Sequence, residues 1–338
     1  MRIVLLDKSS IDAQVRVYHA AFNKQTPIEA TKAQWIKKHY ENPIDNSLIF
    51  GAFEGEELVG LNAFLPSCYM LNGKKVFLLQ SCESGVLPSQ QGKGIWGKVV
   101  RYAVEYIERN TKYVGIIGFP NYRNSYPGFM KMGWKTLFEM NNMILVNNAE
   151  NFSKSLFVNR KILQLFARIA IIQRIPLGIK ALSHRDLTIT ECSIKDVLWE
   201  DAMDKITIDH SDKWCLWKAD YKQMHSLSLT LGGRVLANCI YGIDYFEGNE
   251  VIRLDNFSVA PESKISTRVL LSKVLKYLKV VCPEAAFVRT WTMNGSSFNK
   301  DLKKLLFLRS SHPNPFIISE PTCNLAGKKW SLSFFDLD

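Results

Sequence analysis

Apolar and polar residues along this 338-residue chain follow two periods, and the period changes where one element gives way to the next. Residues 3–6 are an apolar, β-prone run. Residues 12–22 and 31–40 read as helices, and Asn42-Pro43 stops the second. Strand-like runs follow at 48–54 and 57–66, joined through Gly55. Asn72-Gly73 predicts a tight hairpin between 69–71 and 75–79. The strand after that turn runs on through Gln80 and Glu83 towards Val86. Helical spacing then returns at Val99, Val100, Ala103, Val104 and Ile107. A short apolar strand at 113–119 and a longer one at 134–146 complete the first half. This is an antiparallel meander followed by strand, turn and helix, not the βαβ alternation of a nucleotide-binding sheet.

The turn between the meander and the helix carries the clearest chemistry. It reads Gly85-Val86-Leu87-Pro88-Ser89-Gln90-Gln91-Gly92-Lys93-Gly94-Ile95-Trp96-Gly97-Lys98. Glycines let backbone N–H groups converge on one spot, and the helix that starts there adds the positive end of its dipole. Such a junction suits a pyrophosphate, and Lys93 and Lys98 add charge. The spacing fits neither the dinucleotide fingerprint nor the nucleotide P-loop.

It does resemble the signature of the GNAT acyltransferases. Gln91-Gly92-Lys93-Gly94-Ile95-Trp96 is similar to the Q/R-x-x-G-x-G/A loop that cradles the pyrophosphate of coenzyme A, with Trp96 in place of the final small residue and Gly97 after it. Val86-Leu87-Pro88 matches the V-x-P that ends the preceding strand. Downstream, 120–134 resembles the family's Asn-bearing segment and short helix, where Phe129-Met130-Lys131-Met132-Gly133-Trp134 matches a Y-x-x-x-G-F tail. The resemblance covers roughly residues 1–146. It implies coenzyme contacts from Val86, Leu87, Gln91, Gly92, Lys93, Gly94, Ile95, Trp96 and Gly97, and a hold on the pantetheine arm or thiol by Asn121 or Asn124. The usual tyrosine acid is Phe129 here, so Tyr126, one turn earlier, takes that role in this reading. Glu83, three residues before Val86, is the candidate general base for the acceptor amine. Trp35 and Tyr40 read as core aromatics, and Cys82 as packing.

The rest of the chain extends this picture. Residues 147–187 form a connector with seven cations against Glu150 and Asp186. Its amphipathic helix, read as ending at Pro176, predicts packing between domains or contact with an anionic membrane through 160–175. Residues 188–338 repeat the first half. Pro88 and Pro261, Asn121 and Asn294, and Trp134 and Phe307 are all separated by the same interval, and the helix around Trp214, Trp217 and Tyr221 is similar to that around Trp35 and Tyr40. The glycine loop does not repeat, because Lys264-Ile265-Ser266-Thr267-Arg268 occupies its place. The expectation is therefore an α+β chain of tandem GNAT-like folds with mostly antiparallel sheets flanked by helices. A coenzyme-binding domain spans 1–146, a connector 147–187 and a degenerate copy 188–338. The acceptor cleft is expected where the halves meet.

Composition adds limits. The formal net charge of +11 favours acidic partners, yet no basic run interleaved with aromatics marks a nucleic-acid strip. Seven scattered cysteines without C-x-x-C suggest a reduced, cytoplasmic chain, and the six histidines lack metal-ligand spacing, so no metal is expected. The resemblance implies an acetyl-CoA-dependent N-acyltransferase acting on a small amine, an amino sugar or a peptide. The alternatives are an aminoacyl-tRNA-dependent ligase of the peptidoglycan type, against which the intact loop argues, and a coenzyme-binding pseudoenzyme, for which Trp96 and Phe129 argue.

Overall fold

The structure is a computed structural model that describes residues 1–154, 160–184, 186–199, 204–310, 313–319, 325 and 327–338. Cys323 and Arg185 lie outside the described residues. The chain opens with β1 (Arg2–Leu6), α1 (Ile11–Ala21) and α2 (Ile28–Tyr40), and the meander follows as β2 (Leu48–Glu54), β3 (Glu57–Leu71) and β4 (Lys74–Val86). Asn72 and Gly73 take the left-handed conformation the hairpin needs, with φ of 51° and 72°. Then come α3 (Ile95–Asn110), β5 (Ile116–Gly118), α4 (Tyr126–Lys131) and β6 (Lys135–Val146). β5 is shorter than its apolar run because its ladder to β4 stops at the Ser81–Gly118 pair, where the two parallel strands part.

The connector holds α5 (Ala149–Lys154) and α6 (Arg160–Leu182). Pro176 does not end α6; the helix continues through Leu182. Proline removes one N–H bond, but packing holds this helix on both sides of the lesion. Ala170 and Ala181 are buried on its inner face, which lies along a helix of the second half. Gln173 receives the N–H of Val146 (3.2 Å) and donates to the carbonyl of Leu306 (2.8 Å). The outer face carries Ile171, Ile172, Ile175, Ile179 and Leu182, all between 55% and 65% exposed. No described helix is long and apolar enough to cross a membrane.

The second half contributes β7 (Thr188–Glu191), β8 (Thr207–Ile208), α7 (Asp212–Lys222), β9 (Met224–Leu231), β10 (Arg234–Phe246), β11 (Asn249–Val259), α8 (Thr267–Val281), β12 (Phe287–Met293), α9 (Ser297–Lys304), β13 (Leu308–Arg309) and β14 (Asn314–Ser319). One mostly antiparallel sheet runs through both halves in the order β1-β2-β3-β4-β5-β14-β6-β12-β11-β10-β9-β7. Only β4–β5 and β11–β12 pair in parallel within that order. The halves exchange their last long strands. β14 sits between β5 and β6, while the C-terminal part of β6 pairs with β12, from Val146–Phe287 to Met140–Met293. The apolar layer at this join comes from both halves: Tyr69, Leu78, Ile117 and Met140 pack with Trp214, Ile240, Phe316 and Phe335. Each such side chain contributes roughly 1.5–3 kcal/mol on full burial.

Candidate active site

The glycine turn forms as its sequence demands. Gly92 and Gly94 hold φ of 79° and 72°, a region that costs L side chains but not glycine. Gly94 ends the turn, and α3 starts at Ile95. The backbone amides from Gly92 to Gly97 have no acceptor among the described residues. The first N–H groups of a helix have no partner within it, so these amides form one open cluster. A Cβ built at Gly92 or Gly94 meets nothing within 4 Å. The cradle is thus both lined with free donors and unobstructed. Leu87 differs, since its amide donates to the carbonyl of Val59 at 2.9 Å. Gln91 Nε2 donates to the Val86 carbonyl at 3.2 Å, and Lys93 Nζ to Gln90 Oε1 at 2.6 Å.

Trp96, the departure from the signature, turns its indole onto α4. It meets Phe129 edge to face at 4.9 Å and lies over Gly128, where a Cβ would fall 2.3 Å from Cζ3. The missing small residue is compensated by a missing side chain on the facing helix. Asn121 organises the turn before α4, its Oδ1 receiving the amides of Arg123 (3.0 Å) and Asn124 (3.2 Å). Asn124 is exposed. Tyr126 stacks on Tyr122 at 5.4 Å, and its hydroxyl pairs with Thr136 Oγ1 at 2.9 Å.

Glu83 lies on β4 where the pairing with β3 slips between Leu61–Gly85 and Ala63–Cys82. The bulge gives Glu83 a φ of 43° and re-aims its side chain towards α2. There Oε1 pairs with Lys38, and Oε2 lies 3.5 Å from His39 Nε2. His39 Nδ1 sits 2.9 Å from Ser47 Oγ, and burial lowers the imidazole to about 4, so it is neutral. Lys38 also pairs with Asp338. Burial opposes the Lys38 charge, but Asp338 and Glu83 win and hold the ammonium well above its usual range. Burial likewise opposes the Asp338 anion, and Lys38, Lys222 and Lys218 outweigh it. Tyr221 donates to Asp338 at 2.5 Å, and Lys222 to the Leu337 carbonyl at 2.8 Å.

The cluster therefore draws on both halves. α7 also packs on α2, with Trp217 Nε1 donating to the Lys37 carbonyl (2.7 Å) and Lys37 pairing with Asp220 (2.7 Å). Trp35 is buried and bonded to Gln14 at 2.9 Å, and Tyr40 reaches the same Gln14 oxygen at 3.0 Å. Lys218 is fully buried, with only the Trp214 ring at 4.8 Å and the Phe335 ring at 5.8 Å against its ammonium among the described contacts. Desolvation, then the neighbouring Lys222, brings it down to about 7. Cys82, Glu83 and Asp338 place ligand-type atoms within 4.8 Å of one another. Lys38 already lies against both carboxylates, and burial pushes the Cys82 thiol up, so the group reads as a charge cluster. Sequence reasoning found Glu83 but missed Lys38, Lys218, Tyr221, Lys222 and Asp338. The available signal was the buried face of the α2 helix, on which Lys38 adjoins His39.

A family model described as an acetyltransferase (GNAT) domain matches residues 2–137. That stretch, from β1 into β6, is similar to GNAT domains. No curated protein matches the sequence. Among solved structures, a probable N-acyltransferase of Enterococcus faecalis V583 aligns with a TM-score of 0.62 at 13% identity, over 94% of this chain and 72% of that one. A GCN5-related N-acetyltransferase from Anabaena variabilis aligns at 0.59 and 9% identity, over 94% and 72%. A tandem GNAT protein from the clavulanic acid biosynthesis pathway aligns at 0.60 and 11% identity, over 96% of this chain and 99% of that one. At such identities the likeness is one of fold, and that fold is the tandem GNAT arrangement. The GNAT fold supports acyl transfer in general.

Proposed function

We propose that this chain is an acyl-CoA-dependent N-acyltransferase that uses acetyl-CoA and acylates the amine of a small molecule, an amino sugar or a peptide. The observation that carries the reading is the row of unpaired amides from Gly92 to Gly97 beside the parting of β4 and β5. Coenzyme A would be held there by these amides, by Lys93 and Lys98, and by Asn121 and Asn124 along the arm. When bound it supplies an acyl group activated as a thioester. Glu83 takes the proton from the acceptor amine; its Oε2 lies buried beside His39 without a hydrogen-bond partner, so the acceptor has to open that contact to reach it. Tyr126 gives a proton to the leaving sulfur. His39, being neutral, adds no charge that competes with Glu83. The acceptor cleft is assigned to the junction of the two halves, on the Glu83 side of β4. An assay of coenzyme thiol release over a panel of amines tests this reading: turnover with at least one amine is expected. Tight acetyl-CoA binding with no turnover on any amine makes the chain a coenzyme-binding pseudoenzyme.

The outer face of α6 supports a second partner, an anionic lipid surface. Residues 160–182 contain five cations and no carboxylate, and the exposed aliphatics stand among them. Such a helix lies in the plane of an interface with its apolar face inward. Two copies of it facing each other would set like charges together. Vesicles with phosphatidylglycerol are expected to sediment the protein, pure phosphatidylcholine vesicles much less, and Ile175→Glu neither. Equal recovery from both vesicle types, or a dimer in light scattering that Ile175→Glu dissolves, contradicts the lipid reading.

A further inference from the structure

A roomy cavity among the described residues lies away from the coenzyme cradle. It lies in the second half, with a volume of about 790 Å³, where β11 and β12 part beyond their Arg253–Arg289 pair. In the second copy this is the place that the opening between β4 and β5 holds in the first. One wall is the diverging strands, from Asn256 to Val259 and from Thr290 to Met293, and the other is Trp199, His210, residues 330–334 and Asp336. Without glycines the junction before α8 offers no pyrophosphate cradle, so an opened slot has been kept while its former ligand chemistry has gone.

The walls say what replaces it. Six aromatic side chains line the cavity, together with eleven neutral hydroxyl or amide side chains such as Thr207, Asn294 and Ser297. Asp336 pairs with His210 at 2.6 Å, Asp301 with Arg268 at 3.3 Å and Asp255 Oδ1 with Arg253 at 2.6 Å, which leaves Asp255 Oδ2 buried without a partner and able to accept from a hydroxyl. Lys205, at the edge, has a partner of its own. Beside that one carboxylate oxygen, what remains is neutral hydrogen bonding next to flat rings. Trp291 has one face covered by Phe334 at 4.8 Å and 11°, and Trp199 one face covered by His210 at 3.8 Å and 7°, which fixes both indoles as rigid platforms. A ring with apolar C–H faces and a rim of hydroxyls fits such walls, and the volume is within the roughly 300–1,000 Å³ of small-molecule sites. We propose that this cavity is a saccharide-binding site that coenzyme A does not enter. The inference stands apart from the coenzyme reading, since it uses none of the residues of the glycine turn.

The full chain is titrated with N-acetylglucosamine and with glucosamine, followed by saturation-transfer NMR and tryptophan fluorescence. Saturable transfer to the sugar ring protons is expected. Trp291→Ala should weaken binding at least about tenfold, the size of losing one aromatic anchor. Ser297→Trp, at an exposed position on the rim, should block the cavity while leaving the melting temperature unchanged, which guards against a folding artefact in the first variant. Saturating acetyl-CoA should leave the sugar affinity unchanged. Absence of transfer from either sugar, transfer that persists in Ser297→Trp, or displacement of sugar by acetyl-CoA overturns the proposal. Acetyl-CoA binding is measured by calorimetry in the same sample, so failure of the sugar site and failure of the coenzyme site are read separately.

Discussion

The junctions that follow β4 and β11 occupy the same place in two copies of one fold, and they differ in what their backbones leave free. Both begin alike: Leu87 donates to the Val59 carbonyl and Ala260 to the Leu236 carbonyl, each at 2.9 Å. After Leu87 the chain turns through Gly92 and Gly94 and leaves the successive amides from Gly92 to Gly97 open. After Ala260 it has no glycine, and it spends amides locally: Ser263 donates to Ala260 at 2.9 Å and Ile265 to Ser263 Oγ at 3.3 Å. Ser266, with φ of −65°, starts α8. The frame of strand, turn and helix survives the loss of the glycines. An anion cradle does not, because it depends on backbone that is left unsatisfied.

The sharpest way to test this division is the chemistry assigned to the first copy. Glu83→Gln keeps the shape of the β4 bulge and removes the base, so turnover should fall about 10²–10⁴-fold. Acetyl-CoA affinity should not change. A variant that turns over normally would move the base elsewhere and leave the bulge a structural feature only.

The next effect compares α2 and α7, the matching helices of the two copies, each of which buries a titratable group. His39 has a folded pKa of about 4 against 6.5 in the unfolded chain. The unfolded chain therefore binds the extra proton between those values, and stability falls as pH drops from 6.5 to 4, by about 3 kcal/mol. Lys218 has a folded pKa of about 7 against 10.5. Its unfolded state binds the extra proton between pH 7 and 10.5, so stability rises with pH across that window, by about 5 kcal/mol in full. Lys218→Met should raise the melting temperature at pH 7, and the gain should shrink by pH 10. His39→Gln should flatten the acid limb. A Lys218→Met gain that is constant with pH would assign the effect to packing instead of charge.

A smaller effect separates the helix contacts. In the first copy Trp96 fills the space over Gly128, and the same positions of the second copy are Val269 and Asp301. Gly128→Ala lies in a helix, where alanine normally helps, yet here it should cost about 1–3 kcal/mol because the new methyl strikes the indole. In a Trp96→Ala background the same substitution should be neutral or favourable. Equal costs in both backgrounds would mean that the indole does not set the fit.

Local patterns carried most of what the sequence showed. The Asn72-Gly73 hairpin, the β4–turn–α3 unit and the evenly offset landmarks of the second copy all depend on neighbours in the chain, and each has its own residue signal. The strand exchange does not. β14 finds its place between β5 and β6 from the far end of the chain, and its short continuous apolar run would satisfy either half. The ion cluster was hidden for the same reason: Lys38, Lys222 and Asp338 read as three ordinary surface charges until the tertiary fold buries them together. Pro176 misled because a local rule was overridden by packing along α6. Glu83 was legible as a candidate through its spacing from Val86, but its bulge and its pairing with Lys38 were not.

The central claim is that one copy alone holds the coenzyme, and calorimetry with acetyl-CoA on three full-length proteins tests it most directly. The unchanged chain should bind one equivalent. Lys264→Asp, at the second junction, should bind with an affinity within about twofold, as expected for a substitution far from the site. Gly94→Asp should show no measurable binding, because a carboxylate and a strained φ meet where the open amides converge. Two equivalents per chain, or normal binding by Gly94→Asp, would contradict the account.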